Sequence, residues 1–126
     1  MSAGLHHLAL RSRDPERLAR FYVDVFALRE RARFHEPDGA LRSVWLALGD
    51  SAVLMCERAG DGEPPVPEGS LEFFALTVTP EGRVALRERL ATLGVALESQ
   101  TQHTLYFRDP DGRRVGASSY PLAPGA

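Results

Sequence analysis

A single cysteine, Cys56, excludes an internal disulfide and a thiolate zinc site built within one chain. It reads as a small buried apolar side chain, and a chain this poor in cysteine suits a reducing cytoplasm. No apolar run nears the ~20 residues that span a bilayer. The first residues hold no basic segment leading into an apolar one. Neither a membrane partner nor a secretory signal is therefore expected. Charge of one sign is also missing: 15 basic against 17 acidic residues leave a net charge of −2. The basic residues are all arginine and scatter along the chain without forming a stripe, so nucleic acid is not an expected partner. There is no nucleophile elbow and no phosphate-cradling glycine loop, which removes the common serine-hydrolase and nucleotide-binding readings. What remains, 44% hydrophobic and 25% charged, is the composition of one compact core or two small fused modules.

The pattern along the chain favours two modules. Leu5 to Ser12 alternates as a strand, with His7 sharing a face with Leu5 and Ala9, and Leu8 and Leu10 on the other. Asp14 is a helix cap and Pro15 a first helical residue; Leu18, Phe21, Tyr22, Val25 and Phe26 then recur on one helical face. Strands follow at Arg29 to Phe34, Arg42 to Leu48 and Ala52 to Arg58, separated by turns at Glu36-Pro37-Asp38-Gly39 and Gly49-Asp50. Residues 60–70 carry three glycines and three prolines without periodicity, and read as a linker. The series then restarts: a strand at Leu71 to Thr79, a Thr79-Pro80 helix start, and a helix burying Val84, Leu86, Leu90 and Leu93 that ends at Gly94. Strands at Val95 to Gln100, His103 to Arg108 and Arg114 to Tyr120 close it, the last two joined by Asp109-Pro110-Asp111-Gly112. The expected organisation is a first βαβββ module over residues 1–59, a second over 71–120, and a tail at 121–126. His7-Leu8-Ala9-Leu10 aligns with Phe73-Phe74-Ala75-Leu76 at an offset of 73 − 7 = 66 residues. The fold class is α+β, two such modules pairing into a curved mixed sheet with helices outside.

With these residues in place, the chain resembles the vicinal oxygen chelate superfamily, which includes glyoxalase I, extradiol dioxygenases, fosfomycin-resistance and bleomycin-resistance proteins. The resemblance rests on His7-Leu8-Ala9-Leu10 leading to Asp14 and Phe21-Tyr22, and on Leu105-Tyr106-Phe107-Arg108-Asp109-Pro110-Asp111-Gly112. One departure is Phe26-Ala27-Leu28 where the family usually places a glycine after the first helix. The larger departure concerns the metal. Metal-using members commonly draw ligands from the first, fourth, fifth and eighth strands, as His, Glu, His and Glu. Carried over, these positions fall on His7, Met55, Phe73 and Gly116, and only His7 is a normal ligand for a divalent ion. A substitute set of His7, Glu57 and His103 would restore two histidines and a carboxylate. No cofactor is expected, with a divalent metal as the alternative.

His7 remains open to three roles: lining a pocket, acting as a general base, or binding metal. Trp45, Met55 and Phe73 would make an apolar, aromatic pocket, with Tyr106 and Tyr120 as polar handles and Arg114 reaching an anionic group. The resemblance thus implies a cytoplasmic, homodimeric protein binding a small, partly apolar or aromatic molecule through His7, Trp45, Met55, Phe73, Tyr106, Arg114 and Tyr120. The alternative is an enzyme, a lyase, isomerase or dioxygenase, either metal-free with His7 as base or metal-dependent through His7, Glu57 and His103.

Overall fold

The structure, a computed structural model, describes residues 4–62 and 71–122. The chain divides into two compact units, Met1–Pro65 and Val66–Ala126. Most of the expected linker lies outside the described residues.

The first unit runs β1 (His7–Ser12), α1 (Pro15–Phe26), β2 (Glu30–His35), β3 (Leu41–Leu48) and β4 (Ala52–Arg58). Its sheet has the order β1-β4-β3-β2, with β1 parallel to β4 and the other pairs antiparallel. The second unit repeats this as β5 (Phe74–Thr77), α2 (Pro80–Thr92), β6 (Leu97–Gln100), β7 (Thr104–Arg108) and β8 (Arg114–Ser118), in the order β5-β8-β7-β6. Two mixed four-stranded sheets, each with its helix, are the two βαβββ modules of an α+β fold. No helix among the described residues is long and apolar enough to cross a membrane.

The helix starts follow from their capping residues. The Asp14 carboxylate accepts the Arg17 amide at 3.0 Å, and the Thr79 hydroxyl accepts the Gly82 amide at 2.9 Å. Each cap satisfies an amide that has no partner inside the helix, and the following proline has none to satisfy. The helix ends differ. At α2, Gly94 takes φ +74, its amide reaching Ala91 O and that of Val95 reaching Leu90 O. This double closure uses the freedom that glycine has at positive φ. At α1 the same place is held by Ala27 at φ 56, with one bond from its amide to Val23 O. An alanine there carries Cβ strain that glycine lacks. Ala27→Gly is therefore expected to stabilise the protein by about 0.5–1 kcal/mol, the relief of strain outweighing the added freedom of the unfolded chain. Urea denaturation checks it, and an unchanged or lower midpoint would contradict it.

The core of the first unit lies between α1 and one face of its sheet. Leu18, Tyr22 and Val25 meet the face carrying Val44, Leu46, Leu54 and Cys56, all fully buried. Cys56 is buried and in no disulfide among the described residues. In the second unit only Leu86 and Leu90 of α2 are buried, over a sheet face carrying Leu105, Phe107, Val115 and Ala117. Val84 and Leu93, expected in that core, are exposed at 58% and 43%. Leu86 and Leu90 stand one turn apart and define the buried line. Val84 lies about 200° round from Leu86, and Leu93 is the C-cap, past the last helical turn.

Candidate functional site

Strand alternation leaves each sheet with a second face, turned away from its helix. On the first sheet, register places His7, Val53 and Ala47 in one row; Ala9, Met55, Trp45 and Ala32 in the next; and Arg11, Glu57, Ser43 and Phe34 in a third. Trp45 and Met55 are direct cross-strand partners, as the aromatic reading of this face requires. The Phe34 ring packs on the indole at 4.9 Å between centroids, with the Arg42 guanidinium 5.8 Å from the Phe34 centroid. Trp45 Nε1 and Ser43 Oγ are buried and have no hydrogen-bond partner among the described residues.

His7 is exposed at the end of this face. Its Nδ1 lies 2.9 Å from Nδ1 of His6, a contact that needs a proton on one of the two nitrogens. Glu57 is the register partner of Arg11, four residues along β1 from His7. That separates His7 and Glu57 by about 13 Å along the strand direction, and side chains standing perpendicular to a sheet do not share an ion across it. Among the described residues no three His, Cys, Asp or Glu side chains gather into a group that could hold a metal. The thioether of Met55, the ring of Phe73 and the bare backbone of Gly116 supply no normal ligand for a divalent ion. The residues present do not fit the metal that the resemblance implies.

The corresponding face of the second sheet brings together Phe73, Tyr106 and Arg114. The two rings meet edge to face at 5.2 Å, and the Arg114 guanidinium lies 4.4 Å from the Tyr106 centroid and 5.4 Å from that of Phe73. A guanidinium over aromatic faces is attracted by their quadrupoles and holds them in place. Arg114 Nε also lies 3.3 Å from Glu98, which pairs with Arg108 as well. The hydrogen bond from Arg108 holds the Glu98 carboxyl below the usual carboxylate range, outweighing its desolvation, and the charges of Arg108 and Arg114 add to the effect. A depressed folded-state value gives a contribution present above the ordinary glutamate value and lost as pH falls through the depressed one. This three-membered network is therefore expected to open in acid, leaving Arg114 without its carboxylate; the Arg114 side-chain resonances followed in an NMR acid titration would report it, and invariant resonances through Glu98 protonation would contradict it.

Gly116 is closely packed on this face. A Cβ there would meet Ala75 Cβ at 3.0 Å and Tyr106 Cε1 at 3.5 Å. Ser118 is engaged by the Thr104 hydroxyl at 2.8 Å and by the Tyr120 amide. Tyr120 is 64% exposed and stacks its edge on His103 at 5.3 Å. The expected handles thus divide: Tyr106 belongs to the aromatic cluster and Tyr120 does not touch it. Arg113 and Arg114 are both salt-bridged.

A depression of about 270 Å³ lies on the opposite side of the second sheet, between Arg83, Arg87 and the β6–β7 turn. None of the candidate residues lines it. It is partly open to solvent. Two contributors escaped the sequence reading. Ser43 shares the alternation of Trp45, a signal that was available. Glu98 as partner of Arg114 depends on a cross-strand register, and β6 carries an irregularity between Leu97 and Ser99 that no spacing rule supplies.

Comparison with known proteins agrees with this architecture. Residues 4–116 match the family model for the glyoxalase/bleomycin resistance protein/dioxygenase superfamily. Among solved structures, a fosfomycin resistance protein from Mesorhizobium loti is similar at 22% identity and a TM-score of 0.74, over 97% of this chain and 95% of that one. A glyoxylase/bleomycin resistance protein/dioxygenase domain from Frankia is similar at 21% identity and 0.75, over 94% and 98%. A lactoylglutathione lyase from Agrobacterium tumefaciens is similar at 18% and 0.70, over 93% of each. At these identities the likeness is one of fold.

Proposed function

The chain belongs to the glyoxalase/bleomycin resistance protein/dioxygenase superfamily, and we propose that within it the protein binds a small, partly apolar or aromatic molecule without a catalytic metal. The observation that carries this reading is what stands at the ligand positions carried over from the family: an aromatic cluster around Phe73 and a Met55–Trp45 pair where imidazole and carboxylate would be needed. Such surfaces attract apolar ligands by burial and by ring packing. The same reading has the protein acting as a homodimer in the cytoplasm, on a small molecule and not on nucleic acid or membrane.

Trp45 is the only tryptophan, so its emission reports on its own surroundings. Titration with neutral monocyclic aromatics is expected to change that emission saturably. Met55→Glu, which puts a charge beside the indole, is expected to weaken the binding roughly tenfold or more. No saturable response across a broad panel would defeat the binding reading. Near-stoichiometric Ni, Zn, Fe or Mn in protein purified without chelators, lost in His7→Ala, would defeat its metal-free part.

A second reading is favoured by the His6–His7 contact. With Nδ1 of His7 as the donor in that contact and the ring exposed, Nε2 is the nitrogen left to take a proton from a substrate. In that case the protein is a metal-free enzyme with His7 as general base. Turnover of a candidate substrate that survives His7→Gln unchanged would remove this reading.

A further inference from the structure

Every buried polar side-chain atom without a hydrogen-bond partner, among the described residues, lies on a sheet face turned away from a helix: Ser43 Oγ, Trp45 Nε1 and Arg114 Nε. Arg114 Nε is compensated by Glu98 at 3.3 Å. Ser43 and Trp45 have no such relief. They stand two residues apart on β3, so both side chains leave the same face, about 7 Å apart along the strand. Ser43 is only 2% exposed. Buried polar groups nearly always find partners, and an orphaned one costs more than a made bond returns. An indole N–H can only donate, and a hydroxyl can donate as well as accept. The partner missing from this corner is therefore an acceptor, and no described residue supplies it.

The neighbouring positions limit what that acceptor can be. Beside Ser43 in its row are Glu57 and, beyond it, Arg11, register partners of opposite sign. These two charges offset each other within the row, and the Arg42 guanidinium beside it lies over the Phe34 ring. On the other side are Phe34, half-buried on the edge strand of this sheet, and in the next row Met55 and Ala9. Resting on the binding reading above, we infer that the ligand is an uncharged molecule with an aromatic body and one oxygen acceptor, of the aryl ketone, aldehyde or ester class. Its body covers Met55 and the indole, and its oxygen accepts from Trp45 Nε1–H and Ser43 Oγ–H. Both atoms are closed to water, so the oxygen arrives on a molecule that takes over part of their cover. Phe34, packed on the indole from the sheet edge, is the side chain placed to give way.

The test compares acetophenone with ethylbenzene, two probes of nearly equal size that differ in the acceptor. Both are titrated into the full-length chain by two-dimensional NMR. Acetophenone is expected to bind roughly fivefold to tenfold more tightly, and to move the single indole N–H resonance downfield where ethylbenzene does not. Trp45→Phe and Ser43→Ala are expected to bring the two affinities together while ethylbenzene binding persists. Equal affinities in the unaltered protein, with a stationary indole resonance, would overturn the acceptor assignment and leave the aromatic binding reading standing. Failure of both probes to bind would overturn both.

Discussion

Asp109→Ala is expected to cost the protein about 3 kcal/mol, among the largest losses available to a single side chain outside the apolar core. The Asp109 carboxylate is fully enclosed. One of its oxygens accepts the Asp111 and Arg113 amides at 2.9 and 3.1 Å; the other meets the Arg113 guanidinium at 3.2 Å. Its backbone closes the same turn, through Gly112 N to Asp109 O at 2.9 Å, with Gly112 at φ +85. Removing the side chain strips two amides of their acceptor and takes one of its carboxylates from a half-buried cation that keeps Asp111. Asp109→Asn keeps an oxygen for both amides but turns an NH2 toward the Arg113 guanidinium in place of the ion pair, so a smaller loss of about 1–2 kcal/mol is expected for it. Thermal unfolding separates the two: a fall of roughly 10 °C for alanine against a few degrees for asparagine. Equal small shifts would mean that this turn is held by its backbone alone. The motif that most resembles the family is thus a structural device. It locks β7 to β8, and so fixes Tyr106 opposite Gly116 and Arg114 beside them.

How much of this was legible in the sequence follows from the range of each signal. Caps, turns and alternation act over a few residues, and Asp14, Thr79, Gly94 and the Asp109 turn fall where local chemistry places them. The 66-residue repeat made the topology legible as well, because two short modules with the same element order have few ways to build a sheet. Burial on α2 was misjudged at Val84 and Leu93 because this helix presents only a thin apolar line, and periodicity alone cannot choose between two weak faces. The lack of a glycine after α1 is visible in the sequence, but the left-handed alanine that takes its place could only be seen in backbone angles. The site was least legible. That Met55 faces Trp45 depends on the β3–β4 register, and that Arg114 lies on the rings of Phe73 and Tyr106 depends on three strands at once. A sequence motif names the positions of such a site; cross-strand pairing decides which side chains meet there.

The other large expected effect tests that meeting directly. Gly116→Glu would return a carboxylate to the eighth-strand position where the metal-using pattern has one. It is expected to cost about 3 kcal/mol and to create no metal affinity. The first atom added is already tight. Cβ at 116 would sit 3.0 Å from Ala75 Cβ, its register partner on β5, and neither strand position can yield far without breaking the ladder. Gly116→Ala alone is expected to cost about 1 kcal/mol for that reason. The carboxylate then needs the space beside Tyr106 Cε1, so it must either displace a ring held by Phe73 and Arg114 or lie buried without donors. Urea unfolding with and without Mn(II), Zn(II) or Ni(II) measures both parts. A metal that bound the folded state would raise the midpoint by mass action. A midpoint equal to that of the parent, or one raised by an added metal, would show that this face still has room for a carboxylate. The aromatic cluster could then not be what replaced it. A lowered midpoint indifferent to metal would tie the missing ligand and the aromatic face to one cause: the Tyr106 ring lies close where the carboxylate would stand, and glycine is what lets it lie there.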